Sequence, residues 1–115
     1  MDSILNSIKQ ALGILPEYQY FDGIIITHIN SVFSILTQIG VGPDKGFSIK
    51  DASTEWSEYI LNDEVLNMVR SYMCEKVSLM FDPPLTSSVI EAKKNTIAEL
   101  EWRLNVEVDP KKEDK

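Results

Sequence analysis

Two apolar, helix-periodic segments meet at Asp82-Pro83-Pro84, and no helix passes through that tripeptide. A proline ring removes a backbone donor, clashes with the carbonyl one turn back, and drives the residue before it out of the helical region. The chain must therefore stop one helix near Phe81 and start another within a few residues, where Thr86, Ser87 and Ser88 offer capping oxygens. Upstream, Asn62-Asp63-Glu64 opens a helix over residues 62–81 whose apolar stripe is Leu66, Val69, Met73, Val77 and Met80, with Val65, Tyr72 and Phe81 beside it. Downstream, residues 87–104 carry Val89, Ile90, Ile97, Leu100 and Leu104. Lys93 and Lys94 interrupt that stripe, so the middle of this helix is expected to face solvent or a neighbour.

The first half of the chain reads the same way. Ile4, Leu5, Ile8 and Leu12 predict a short amphipathic helix over residues 3–12, stopped by Gly13. After Pro16, residues 22–39 repeat Ile25, Ile29, Val32, Leu36 and Ile39, and Ile26, Phe33 and Ile35 broaden the stripe into that of a core helix. The stretch GVGPDKGFSI, residues 40–49, is a turn or an exposed hairpin, since three glycines and a proline break any helix. It lacks the Gly-Lys-Ser/Thr ending of a phosphate loop. Ser53 or Thr54 is placed to cap a short helical turn through Tyr59. At the far end Val106 and Val108 alternate with acids before a charged terminus, a pattern for a short exposed strand or a disordered arm. The expected fold is thus all-α. It is a small bundle of about four principal helices over residues 1–104, with an exposed glycine-rich loop and an extended tail over residues 105–115.

A chain of 115 residues, 43% hydrophobic, supplies one modest core, and association with further copies would add the buried area a small domain lacks. Eleven basic against eighteen acidic side chains give a net charge of -7, which disfavours a grip on nucleic acid or anionic lipid. Residues 44–64 concentrate the excess, with six acids against Lys45 and Lys50. Residues 1–13 have an acid at position 2 and no basic leader, unlike a signal peptide, and residues 23–39 are too often interrupted by polar side chains for a membrane span. Cys74 is the single cysteine and His28 the single histidine, so neither a disulfide framework nor metal-ligand spacing is present. Cys74 reads as a buried thiol, and Glu55 with Glu58 or Glu99 with Glu101 as acids on solvated helix faces. No catalytic, cofactor or metal site is expected. Trp102, off the stripe between Glu101 and Arg103, either closes its own bundle or anchors an interface.

Several short motifs carry a resemblance. Ile39-Gly40-Val41-Gly42-Pro43 followed by Gly46-Phe47, then Trp56-Ser57-Glu58-Tyr59, Phe81-Asp82-Pro83-Pro84, Ser87-Ser88-Val89 and Glu99-Leu100-Glu101-Trp102-Arg103-Leu104-Asn105 resemble the small head-tail connector proteins of long-tailed DNA bacteriophages. Over roughly residues 19–106 the resemblance implies a helical adaptor of the virion neck, made in the host cytoplasm. Such an adaptor forms a ring of about twelve subunits below the portal protein, extends the DNA channel and seats the next head-completion or tail protein. DNA would pass without specific binding, and no membrane or cofactor is implied. Loops and terminal segments would make the contacts, which here places the assembly interface at Gly40, Gly42, Pro43, Gly46, Phe47 and Ile49 and at Trp102, Arg103, Val106 and Val108. Glu55 and Glu58 would be candidate channel-facing acids.

Read without the resemblance, the residues also fit a small cytoplasmic helical regulator or antitoxin-like module that binds a partner helix. Both readings share one core, and that core is testable. Replacing Ile29 or Val69 by Asp should abolish the cooperative melting transition, because an unpaired charge is placed where water is excluded. A wild-type melting curve from either variant would displace the predicted core face.

Overall fold

The computed structural model describes residues 3–60 and 62–113, the last five of these by backbone alone. Its helices are α1 (Ile4–Ala11), α2 (Asp22–Ile39), α3 (Trp56–Tyr59), α4 (Asp63–Phe81) and α5 (Ser87–Glu113). Among the described residues no strand forms, and Ser3 and Glu55 make an isolated antiparallel bridge. The all-α expectation holds.

Each boundary has a local cause. Ser3 Oγ accepts the Asn6 N–H at 3.2 Å and opens α1. Gly40, at φ 105°, closes α2 in a left-handed turn that lets the Val41 N–H reach the Leu36 carbonyl at 2.9 Å. Asn62 Oδ1 accepts the N–H groups of Glu64 and Val65 and opens α4. Asp82, pushed to φ -143° by the proline behind it, ends that helix. The short α3 is capped differently from the expectation. Glu55 and Glu58 form a reciprocal capping box, whereas Ser53 instead donates to Asp51 through both its N–H and its hydroxyl.

α4 is the middle layer. It packs against α5 on one side and against α1 and α2 on the other. Its buried face is Val65, Val69, Tyr72, Met73 and Val77, and it meets Ile25, Ile29, Val32, Phe33 and Leu36 of α2 in one continuous core. This face is rotated slightly from the predicted α4 stripe: Leu66 is half-buried and Met80 is exposed, while Val65 and Tyr72, beside that stripe, are buried. α5 runs antiparallel to α4, with Lys93 Nζ 2.9 Å from Glu75 and Tyr72 donating to Glu101 at 2.7 Å. Lys93 therefore lies on the seam between the helices rather than breaking it.

The extended tail is corrected. From residue 105 the backbone stays helical to Glu113, and Asp114 and Lys115 lie outside the described residues. The alternation of Val106 and Val108 misleads because two residues span about 200° of a helix and 180° of a strand, so both structures put them on opposite faces. The informative spacing is Ile97, Leu104, Val108, all buried in the core. At 27 residues α5 is roughly 40 Å long, close to the 44 Å longest dimension of the molecule.

One buried charge ties α1 to the start of α2. Lys9 is fully buried, and its ammonium donates to the carbonyls of Pro16 at 2.9 Å and Tyr18 at 2.8 Å while sitting 2.8 Å from Asp22 Oδ1. The linking strap, residues 12–21, thereby gains a fixed path. Lys9→Met should lower the unfolding free energy by about 2–4 kcal/mol in urea titration, less than for a fully buried pair because Asp22 keeps some contact with water. A loss under about 0.5 kcal/mol would show that the strap holds its path without the lysine.

Candidate assembly surfaces

The glycine-rich loop is only partly exposed. Pro43, Asp44 and Lys45 form an exposed tip, but the flanks fold back on the bundle. Phe47 completes an aromatic triad with Phe33 and Tyr59, with ring centroids 4.7–5.1 Å apart. Ile49 is buried, and Asn30 of α2 grips its backbone at both polar groups. The Ile49 N–H donates to Asn30 Oδ1 at 2.8 Å, and Asn30 Nδ2 donates to the Ile49 carbonyl at 3.0 Å. The apolar area expected for a partner at Phe47 and Ile49 is thus spent largely on the subunit's own core.

Its glycines have distinct duties. Gly40 is the helix cap already described. Gly46, at φ 90°, reverses the chain at the tip, with Thr37 Oγ1 as the nearest neighbour of an added Cβ at 3.7 Å. Gly42, at φ 83°, lies so close to Tyr59 that a Cβ there would come within 2.6 Å of the ring. Burial holds the Tyr59 hydroxyl's pKa well above the ordinary phenol range, so this ring stays neutral.

The acids Glu55 and Glu58 have a local role in the α3 capping box; Glu58 is exposed and Glu55 half-buried. Trp56 between them is buried, donating its indole N–H to Ser7 Oγ at 3.1 Å under the guanidinium of Arg70, 5.4 Å from the ring centroid. Cys74 is half-buried, and that burial raises its thiol pKa. His28 is half-buried on α2.

The C-terminal candidates divide between the two faces of α5. Val108 is in the core, whereas Trp102 is 66% exposed and Val106 46% exposed, on the side turned away from α4. Trp102 therefore does not close its own bundle. Arg103 pairs on the surface with Glu99 at 2.8 Å. Elsewhere a groove of about 730 Å3 opens between α1 and the strap, with Asn6 and Gln10 on one side, Ile14, Leu15 and Pro16 on the other, and Arg70 at its wall. None of these groove residues stands out in the sequence.

This arrangement is a helical bundle carrying exposed aromatic and apolar side chains, and the chain matches a known family along almost its whole length. The family described as phage connector protein matches residues 4–111. The chain belongs to that family. Neither a curated protein nor a solved structure gives a match. Membership assigns this connector a structural role in the phage virion, between head and tail. No helix of the described residues is long and apolar enough to cross a membrane.

For the connector loop, the two central glycines separate backbone strain from crowding. Gly42→Ala should cost about 2–4 kcal/mol, combining a left-handed backbone with overlap on Tyr59, whereas Gly46→Ala should cost about 1 kcal/mol from the backbone alone. Denaturant midpoints with unchanged slopes would measure both. Equal losses would remove the close approach of Gly42 to Tyr59 as a determinant of the loop.

Proposed function

We propose that this connector assembles as a ring below the portal protein, continues the DNA channel and presents a platform for the next head-completion or tail protein. The observation that carries the reading is the family match over residues 4–111. A folded subunit with exposed Trp102, Val106, Leu15 and Tyr20 supports it, because side chains of that size left in water favour burial against a partner. The resemblance to head-tail connectors implies a ring of about twelve copies, and one heterologous contact repeated until it closes would produce such a ring.

The charge supports the same reading. Asp44, Asp51, Glu58, Asp63 and Glu64 are exposed, and repeated around a ring they would repel a passing duplex rather than hold it. Specific DNA binding is not part of the function. The partners are the portal, the following neck or tail protein, and further copies of this chain.

Electron microscopy of the purified chain mixed with its portal tests the proposal. Added ring density on the tail-side face of the portal, with the symmetry of a closed ring, is the expected result. Portal particles unchanged by excess connector would sink the proposed ring and portal contact.

A further inference from the structure

Four aromatic rings meet at one corner of the bundle, where the strap enters α2 and α4 ends. Tyr18 and Tyr20 lie against Phe21, with ring centroids 6.0 and 4.9 Å away, and Phe21 meets Phe81 edge-on at 5.3 Å. Phe21 and Phe81 are half-buried against the core, whereas Tyr18 is 51% and Tyr20 79% exposed. Together the rings leave roughly 300–400 Å2 in water, the size of the largest apolar patch on a typical monomer, which is often functional. The Lys9 ammonium holds the Tyr18 carbonyl at 2.8 Å, and the Phe21 carbonyl accepts the Ile25 N–H at 3.0 Å. A partner therefore meets a surface already formed, with little left to order on contact.

The charge at this corner is of one sign. Glu17 and Asp82, next in sequence to Tyr18 and Phe81, are exposed, and neither pairs with a base among the described residues. Asp22 is occupied by Lys9. Residues 10–44 and 77–92, which include every residue of the ring cluster, contain no lysine or arginine.

Size and charge together select the occupant. The ring area is about half of the ~800 Å2 per side of a specific interface between folded proteins, so it fits a short segment better than a second subunit. A second copy would also bring a net charge of -7 and the same acids to this corner. We infer that the corner receives a short segment of another neck protein, in which an aromatic or aliphatic anchor lies between lysine or arginine side chains. The inference rests on the connector reading for the presence of such a neighbour. The anchor covers Tyr18 and Tyr20, and the flanking cations meet Glu17 and Asp82. Cations beside the anchor also suit the faces of the tyrosine rings. A few anchors shielded by polar contacts at the rim are enough to carry an interface of this size.

Overlapping peptides covering the portal and the protein that follows it in the neck are the probes. Each is labelled and titrated with the full-length chain, and binding is read by fluorescence anisotropy. The expected result is binding of peptides that hold an apolar residue between basic ones, weakened by added salt. Tyr20→Ser should weaken that binding about tenfold or more, and Glu17→Lys should weaken it while leaving all four rings in place. Both side chains project into water, so both variants should keep the wild-type melting curve. Binding by no peptide, binding of acidic peptides alone, or binding unchanged in both variants would overturn the inference. Self-association of the chain in sedimentation, lost in Tyr20→Ser, would assign the corner to a second copy and overturn it as well. If ring density forms on the portal while no peptide binds, the corner contact fails and the ring reading stands. If a basic, apolar peptide binds and the portal stays bare, the corner contact stands and the ring reading fails.

Discussion

The Lys9 ammonium fixes where the first helix, the strap and the start of the second helix sit relative to one another. Burying that cation is tolerated because two carbonyls and the Asp22 carboxylate surround it. Asp22 is also the first residue of α2, where a carboxylate is favoured by the helix N-terminus. One side chain thus joins three elements. Apolar packing holds α1 against α4 and seats Leu12, Ile14 and Phe21 of the strap on the core, and the ammonium fixes the exposed stretch between them at Pro16 and Tyr18.

A second clamp acts at the other end of α2. Asn30 pairs with the Ile49 backbone much as a neighbouring strand would, and the Phe33, Phe47 and Tyr59 rings close beneath it. The loop therefore combines an open tip with a fixed base. The fixed base depends on Gly42, because only a residue without Cβ leaves room for Tyr59 to cross the chain. Polar side chains on the core helix are thus spent on ordering the connections, while the apolar stripe orders the helices.

Sequence periodicity makes the helices legible and leaves these clamps hidden. The bounds of α2 and α4 follow from Gly40, Asn62 and Pro83, each a local signal with a stereochemical cause. Lys9 is unreadable because a lysine inside an amphipathic pattern ordinarily lies on the solvent side, and its partners are main-chain carbonyls with no sequence signature. Glu55 and Glu58 read as acids on a solvated helix face, and as channel-facing candidates only under the resemblance, although their spacing of three is also that of a capping box, with glutamate in the place usually held by serine or threonine. The course of α5 beyond Leu104 is obscured because its last buried residue, Val108, lies in a charged and valine-alternating stretch. Among the exposed features, Trp102 stands out by being off the stripe, whereas a groove made by α1, the strap and α4 exists only once the chain is folded.

The net charge of -7 constrains how copies in the proposed ring would hold together. Like-charged copies repel at range, with a screening length of about 8 Å at physiological salt, so long-range attraction cannot drive their association. What remains is short-range: desolvation of large side chains, and ion pairs formed where water is displaced.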